Sequence, residues 1–387
     1  MPLPKSRLQH LECSACQAER DWRQLHNLCS CGAPLLARYA LDASVPRPDA
    51  RITGMWRHAA LMPHLGEAIT LGEGDSPVLP LPRLGAALQL PRLFAKDESR
   101  NPNTSFKARG LSAAVTMAKA LGVERMAIPT AGNAGGALAT YAARAGLSVD
   151  VFMPADTPRA FELEALLHGA RVTRVDGLID DCGRRVAELV AAGTCFDVST
   201  LKEPYRLEGK KTMGYEIFEQ MRDAMPDVIL YPTGGGTGLI GIAKAFDELR
   251  VLGWYDGPTP RLVAVQSEGC APMVRAFESG KPSAERWENA STEALGLRVP
   301  GAVGDRLILQ AVRESGGTAI AVGESALLAG MRQIASQEGI PAGPEVGALV
   351  AAAADLLESG WLDPAWRVLL LCTGSAHKYP TAIEASL

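Results

Sequence analysis

The run RMAIPTAGNAGGALATYAARAG, residues 125–146, decides the fold class. Its first five residues are a short apolar run that ends at a proline, as expected of a buried strand. From Asn133 onward apolar residues return every three or four positions, the period of a helix packed on one face. The same order of strand, turn and helix recurs along the chain. The runs RLFAKD, VDVFMP, VTRVD, CFDVST, DVILYP, RLVAVQ, TAIAV and RVLLLCT predict further strands. The stretches SFKARGLSAAVTMAKALG and GLIGIAKAFDELR predict helices between them. This alternation implies an α/β protein with parallel sheets covered by helices on both faces. Nine such strands exceed one compact sheet, so two three-layer α/β subdomains are expected. Ligands in this architecture bind outside the carboxyl ends of the strands, in the turns before the helices.

The expected division has a ribbon-like segment over 1–45, then a linker and the start of the catalytic region over 46–95. A smaller α/β subdomain over 96–200 would carry Lys107 and Asn133, and a larger one over 201–387 the glycine-rich loop. The linker reading rests on the Pro- and charge-containing stretch ALDASVPRPDARITG. Composition narrows the class. In 387 residues, 47% are hydrophobic and 21% charged, which excludes disorder and allows a large core. A net charge of −4 gives no electrostatic reason to expect nucleic acid or an anionic membrane as partner. No apolar run approaches the roughly 20 residues that span a bilayer. The start, MPLPKSRLQHLEC, lacks the apolar core of a signal peptide, so a cytoplasmic location is expected.

Of the eight cysteines, Cys182, Cys195, Cys270 and Cys372 stand alone in apolar surroundings and read as buried thiols. Cys13, Cys16, Cys29 and Cys31 are crowded into a CxxC…CxC pattern. In a reducing compartment four thiolates so spaced suit structural zinc better than a disulfide framework. The second pair is one residue shorter than in the usual ribbon. A ribbon that has lost its metal therefore stays open as an alternative.

Four turns carry candidate chemistry. In NPNTSFKARG, residues 101–110, Ser105 can cap a helix whose first turn holds Lys107. A cation at that positive end is disfavoured, which favours the neutral amine that a Schiff base requires. The plain alternative is a solvated lysine. In PTAGNAGG, residues 129–136, the amides at a helix start can receive a carboxylate, and Asn133 offers donor and acceptor; the plain alternative is a helix cap. In PTGGGTGL, residues 232–239, four glycines in five positions clear the approach of a phosphate to backbone amides, and Thr237 adds a hydroxyl. Gly236, Gly238 and Gly241 also satisfy the dinucleotide fingerprint, with Glu268 where a ribose-binding acid could stand. In CTGSAHKY, residues 372–379, Thr373 and Ser375 put hydroxyls at a strand end, while His377 reads as a surface or packing histidine.

Taken in order, the cysteine-rich head, SFK, AGNAGG, GGGTG and the final TGS resemble the fold-type II pyridoxal-phosphate enzymes, and within them the threonine synthases. LGEGDSP, residues 71–77, looks like the opening GEGxTP of that catalytic region, with Ser76 in place of threonine. STLKEPYRLEGKKT, residues 199–212, looks like the PxRxEGxKT stretch. The resemblance runs over about residues 12 to 385. Departures are Ala108 where aspartate is frequent, Asn103 for threonine before the lysine, and Ala376 for glycine.

The resemblance implies pyridoxal 5'-phosphate as cofactor, held through Lys107 as a Schiff base with Phe106 beside it. Asn133 would bond the ring's 3-hydroxyl oxygen, and Gly234, Gly235, Gly236, Thr237 and Gly238 would cup the cofactor phosphate. Thr373 would face the pyridine nitrogen. A neutral hydroxyl there suits elimination and replacement better than transamination. Thr130, Ala131, Gly132, Asn133 and Ala134 would receive the substrate carboxylate. The substrate implied is O-phospho-L-homoserine, whose own phosphate calls for a second basic pocket. Arg206, with Ser199 and Lys202, is the candidate for it. A homodimer is also implied. The competing readings are another fold-type II enzyme (a serine or threonine ammonia-lyase, or a synthase using O-phosphoserine), a nicotinamide dehydrogenase, and a non-catalytic relative.

Overall fold

The computed structural model describes residues 3–387. The chain forms two compact units of interleaved segments. One takes Met1–Asp75, Asn101–Thr212 and Asp247–Asp256, and the other Ser76–Arg100, Met213–Phe246 and Gly257–Leu387. All nine runs read as strands are strands.

The first unit opens with a three-stranded antiparallel ribbon, in which Leu8–Cys13 pairs with both Glu19–Arg20 and Leu35–Tyr39. The stretch expected as a linker has no regular structure but is docked. Val45 is buried, and the Arg47 guanidinium lies 4.3 Å from the centroid of the Trp254 ring. Residues 55–62 follow, and Met55, Trp56, Ala59 and Met62 make a small apolar cluster with Ala113. The main sheet of this unit has four parallel strands in the order Arg171–Val175, Ser148–Pro154, Arg125–Pro129, Phe196–Asp197. Because Arg125–Pro129 and Phe196–Asp197 are parallel neighbours, the turns after them emerge at one sheet edge. The Val198 amide donates to the Ala127 carbonyl at 3.0 Å and holds that register.

The second unit contains a six-stranded sheet in the order Thr318–Val322, Arg261–Ser267, Val228–Pro232, Val368–Cys372, Leu93–Asp97, Val78–Pro80. Only the edge strand Val78–Pro80 is antiparallel. Its two central strands, Val228–Pro232 and Val368–Cys372, are apolar throughout, as expected of parallel strands covered on both faces. The helices Glu324–Glu338 and Pro344–Glu358 approach so closely that a Cβ on Gly347 would stand 2.0 Å from the Leu327 carbonyl oxygen.

The boundaries differ from those expected. Leu93–Asp97 lies just before Lys107 in the chain yet pairs with Val368–Cys372, and residues 201–212 fall in the unit of the lysine. Pairing between strands so distant in sequence leaves no local trace in either. Of the isolated cysteines, Cys182, Cys270 and Cys372 are buried as expected; Cys195 is half-buried at the edge of the Ala127, Phe152, Cys182 and Val186 cluster.

Candidate active site

In the first unit, Lys107 is the first residue of the helix Lys107–Ala120. Ser105 is one position too early to be the N-cap, which is Phe106, and its Oγ reaches the Lys107 amide only at 3.4 Å. Thr104, just before it, has φ +53°, an uncommon conformation for a β-branched residue that bends the chain into the helix. The Lys107 Nζ lies 4.4 Å from the centroid of the Phe106 ring, and the Lys210 Nζ 4.9 Å from the same centroid.

Two glycines create this proximity. A Cβ on Gly110 would stand 2.8 Å from the Arg206 carbonyl oxygen, and one on Gly209 would stand 2.0 Å from the Arg109 carbonyl oxygen. The helix Lys107–Ala120 and the start of Tyr205–Gln220 therefore touch backbone to backbone. This contact sets Arg206 and Lys210, four residues apart and on one helical face, beside the lysine turn. The Arg109 guanidinium locks it further by donating to the Thr212 hydroxyl at 3.0 Å.

The Arg206 side chain is 1% exposed. Its Nη1 donates to the Val198 carbonyl at 2.7 Å, while Nε and Nη2 are buried with no hydrogen-bond partner among the described residues. A buried guanidinium with two idle donors is costly unless an anion meets it. Burial lowers the pKa of Arg206, and burial together with the Lys107 and Arg206 charges holds the Lys210 ammonium well below its usual range. Glu203 and Asp197 are the counter-charges that act on Arg206, and Glu203 is fully buried and pushed up to about 7 by burial against the opposing pull of the Arg206 amide and charge.

Ser199 and Lys202 lie in the turn that leads to Arg206, and both are tied to Asp197. The Ser199 amide donates to Asp197 Oδ1 at 2.8 Å, its hydroxyl donates to the same oxygen, and Lys202 Nζ stands 3.5 Å from Oδ2. Leu201 between them is buried at φ +59°. At the same sheet edge, Thr130 Oγ1 accepts the Gly132 amide at 3.1 Å, and the helix Asn133–Ala145 begins. Asn133 makes no cap; the N-cap is Gly132. Ala131 and Ala134 are buried, and Gly132 and Asn133 half-buried. Gly136 has no room for a side chain, since a Cβ would meet Glu164 Oε2 at 1.9 Å.

The GEGDSP stretch supplies a buried carboxylate in this unit. Glu73 accepts from Trp56 Nε1 at 2.9 Å, the Ser112 hydroxyl at 2.5 Å, the Tyr141 hydroxyl at 2.7 Å and the Leu71 amide at 3.0 Å. It ties the helix of Lys107 to that of Asn133. Glu73, Glu203 and Lys210 are not marked as site residues by the sequence. The available signal was the i, i+4 spacing of Arg206 and Lys210 within EPYRLEGKK.

In the second unit, the glycine loop follows Val228–Pro232 and opens the helix Thr237–Val251. A Cβ on Gly234 would stand 2.1 Å from the Gly296 carbonyl oxygen, on Gly236 2.3 Å from the Ile308 side chain, and on Gly238 2.1 Å from the Tyr231 hydroxyl. Gly236 also has φ +68°. With Gly235 and Thr237 between them, these positions keep the loop bare, as a phosphate approaching amides requires. Val368–Cys372 is the parallel neighbour of Val228–Pro232, so Thr373 leaves the same sheet edge as this loop. Thr373 is buried, whereas His377 is exposed and bonds Ser375 Oγ through Nδ1 at 3.1 Å, which agrees with the surface reading. Ser76, standing where the motif has threonine, donates its hydroxyl to Glu98 at 2.5 Å. Glu268 is exposed.

In the ribbon, one metal-binding atom from each of Cys13, Cys16, Cys29 and Cys31 lies within 4.8 Å of the others. Cys13 Sγ is 3.4 Å from Cys31 Sγ, and Cys16 Sγ 3.7 Å from Cys29 Sγ. Tetrahedral zinc with bonds near 2.3 Å separates its sulfurs by about 3.8 Å. The shortened CxC turn still closes because Gly32 takes φ +86° and donates its amide to the Cys29 carbonyl at 2.8 Å. The donor set fits zinc.

The sequence pattern of the family described as "Pyridoxal-phosphate dependent enzyme" matches residues 69–374. A threonine synthase of Methanosarcina acetivorans is 34% identical over 381 residues, covering 97% of this chain and 94% of that protein. A threonine synthase of Methanocaldococcus jannaschii is 31% identical over 383 residues, covering 97% and 94%. Among solved structures, diaminopropionate ammonia lyase from Escherichia coli superposes with a TM-score of 0.69 at 20% identity, covering 82% of this chain and 89% of that one. Maize serine racemase gives 0.68 at 20% identity, covering 80% and 91%. These two likenesses establish the fold, a fold-type II arrangement of parallel-sheet α/β layers. The chain belongs to the pyridoxal-phosphate dependent enzyme family.

Proposed function

We propose that this protein converts O-phospho-L-homoserine and water into L-threonine and phosphate, using pyridoxal 5'-phosphate. The observation that carries the substrate is the buried Arg206 guanidinium with two idle donors, a site for a phosphate other than the cofactor's. The relatives above 30% identity point the same way. A lyase acting on unphosphorylated serine or threonine has no use for such a pocket.

The bare loop fits the cofactor's phosphate, since side chains are excluded at Gly234, Gly236 and Gly238. Bound pyridoxal phosphate supplies an electron sink for the bonds broken at the substrate's α carbon. The chain's own residues do the rest. Lys107 would hold the cofactor, and its amine would carry protons at the α and β carbons of the substrate. Asn133 would hold the ring through its 3-hydroxyl oxygen, and Thr373 would offer the pyridine nitrogen a neutral hydroxyl. The amides of residues 130–134 take the substrate carboxylate. Arg206 holds the phosphate that leaves the γ carbon, with Lys210 beside it and Ser199 and Lys202 in the turn above. Burial and the neighbouring Lys107 and Arg206 charges lower the basicity of Lys210.

The same reading includes structural zinc on the four ribbon cysteines, a homodimer and a cytoplasmic location. No helix of the described residues is long and apolar enough to cross a membrane. The test is to incubate the purified yellow protein with O-phospho-L-homoserine and assay threonine and phosphate together. Equal yields, lost by about 1,000-fold or more in Lys107→Ala, are expected. A yellow protein that releases neither product overturns the substrate and leaves the cofactor.

A further inference from the structure

The ribbon does more than carry a cluster of cysteines. Between Cys16 and Cys29 it extends an arm with no helix or strand beyond Glu19–Arg20. Three hydrogen bonds join this arm to residues 197–205, the turn that holds Ser199 and Lys202 and the helix start after it. Asn27 Nδ2 donates to the Asp197 carbonyl at 2.8 Å and to the Lys202 carbonyl at 3.0 Å. The Tyr205 hydroxyl donates to the Trp22 carbonyl at 3.0 Å. Trp22 and Tyr205 are both buried.

These bonds fall at telling places. Residues 198–204 have no regular structure, and Leu201 sits at φ +59°. Asp197 fixes the turn from within by accepting the Ser199 amide and hydroxyl and facing Lys202. Asn27 spans the turn from outside, joining its first carbonyl to one five residues on. Tyr205 ties the position before Arg206 to the same arm. An arm without secondary structure keeps its shape only if its ends are held, and those ends are Cys16 and Cys29. Both belong to the four-sulfur cluster that fits zinc.

We propose that Asn27 is a positioning residue for substrate-phosphate binding, through which a zinc ion on Cys13, Cys16, Cys29 and Cys31 sets the conformation of the turn at residues 197–206. This rests on the reading of Arg206 as the substrate-phosphate ligand. The metal takes no part in the chemistry; it clamps the arm, the arm clamps the turn, and the turn presents Arg206. Removing the metal or Asn27 therefore weakens binding of the phosphate and spares the cofactor.

The experiment uses the full-length holoenzyme and compares wild type, Asn27→Ala, Cys31→Ser and Arg206→Gln. It reads zinc content by mass spectrometry and inorganic phosphate affinity by calorimetry. Steady-state constants for O-phospho-L-homoserine and hydrogen exchange of residues 197–206 complete it. Asn27→Ala is expected to keep zinc and cofactor, to bind inorganic phosphate about tenfold more weakly, and to raise KM by about the same factor. Its kcat should move by no more than about twofold, the mark of lost binding without lost chemistry. Cys31→Ser should lose zinc, exchange faster at residues 197–206 and raise KM likewise. Adding Asn27→Ala to it should cost nothing further, because both act through one clamp. The proposal is overturned if Asn27→Ala binds phosphate as wild type while Arg206→Gln does not. It is overturned too if protein from zinc-supplemented culture carries no zinc. If Arg206→Gln itself keeps full phosphate affinity, the substrate pocket was misplaced, and the proposal falls with it.

Discussion

The glycine loop at residues 234–238 and the Arg206 cluster are both read as phosphate sites, and they are constructed by opposite means. The loop excludes side chains, which leaves backbone amides at a helix start open to an anion; the walls that forbid a Cβ are Gly296, Ile308 and Tyr231. The cluster does the reverse, burying the side chains of Arg206, Lys210 and Glu203. A group that never leaves during turnover can be held by fixed dipoles, which cost nothing to keep ready. A substrate phosphate must arrive as one species and depart as another. Buried ionisable groups suit that, because their protonation can follow the ligand's charge.

This contrast can be broken or sharpened by substitution. The largest effect is expected at the loop. Gly238→Val puts carbon onto the buried Tyr231 hydroxyl, and should cost about 1–3 kcal/mol in packing and abolish the yellow colour of the purified protein. A variant that retains full cofactor absorbance would show that the loop is not the cup. Next is Arg206→Ala, which removes charge-assisted bonds worth about 1.5–3 kcal/mol and should raise KM for the phosphorylated substrate by tenfold or more. The cofactor spectrum should not change; a bleached protein would mean that the two sites are not separable.

A smaller effect concerns pH. Glu203 is pushed up to about 7 from 4.5, so between these values the folded chain holds a proton that the unfolded chain has released. Stability must then fall as pH rises through that window. Glu203→Gln should flatten this slope in denaturant titrations at successive pH values, whereas an unchanged slope would assign it elsewhere. The smallest effect is at His377, exposed and bonded to Ser375. His377→Ala should change stability by less than about 0.5 kcal/mol and leave kcat/KM intact. A large loss of activity would make that histidine part of the chemistry.

Glycine and asparagine turns were legible because their chemistry is local. A strand, a bare loop and a helix start lie in one stretch of chain, and PTGGGTGL carries all three. Buried charge was not legible. Nothing in RLEGKK distinguishes Arg206 and Lys210, which are buried, from a solvated basic face. Glu73 likewise stood in a recognised motif, but the Trp56, Ser112 and Tyr141 donors that make it a hub come from three other segments.

The sequence by itself determined the alternation of strands and helices, all nine strands read from apolar runs, the lysine at a helix start and the four clustered cysteines. Those follow from side-chain periodicity and backbone preference, which act over a few residues. The tertiary structure alone decided that Leu93–Asp97 joins a sheet with Val368–Cys372, that Gly110 and Gly209 press two helices together, and that Asn27 of the ribbon reaches the turn before Arg206. Each depends on which distant surfaces meet, and that is set by the burial of the whole chain.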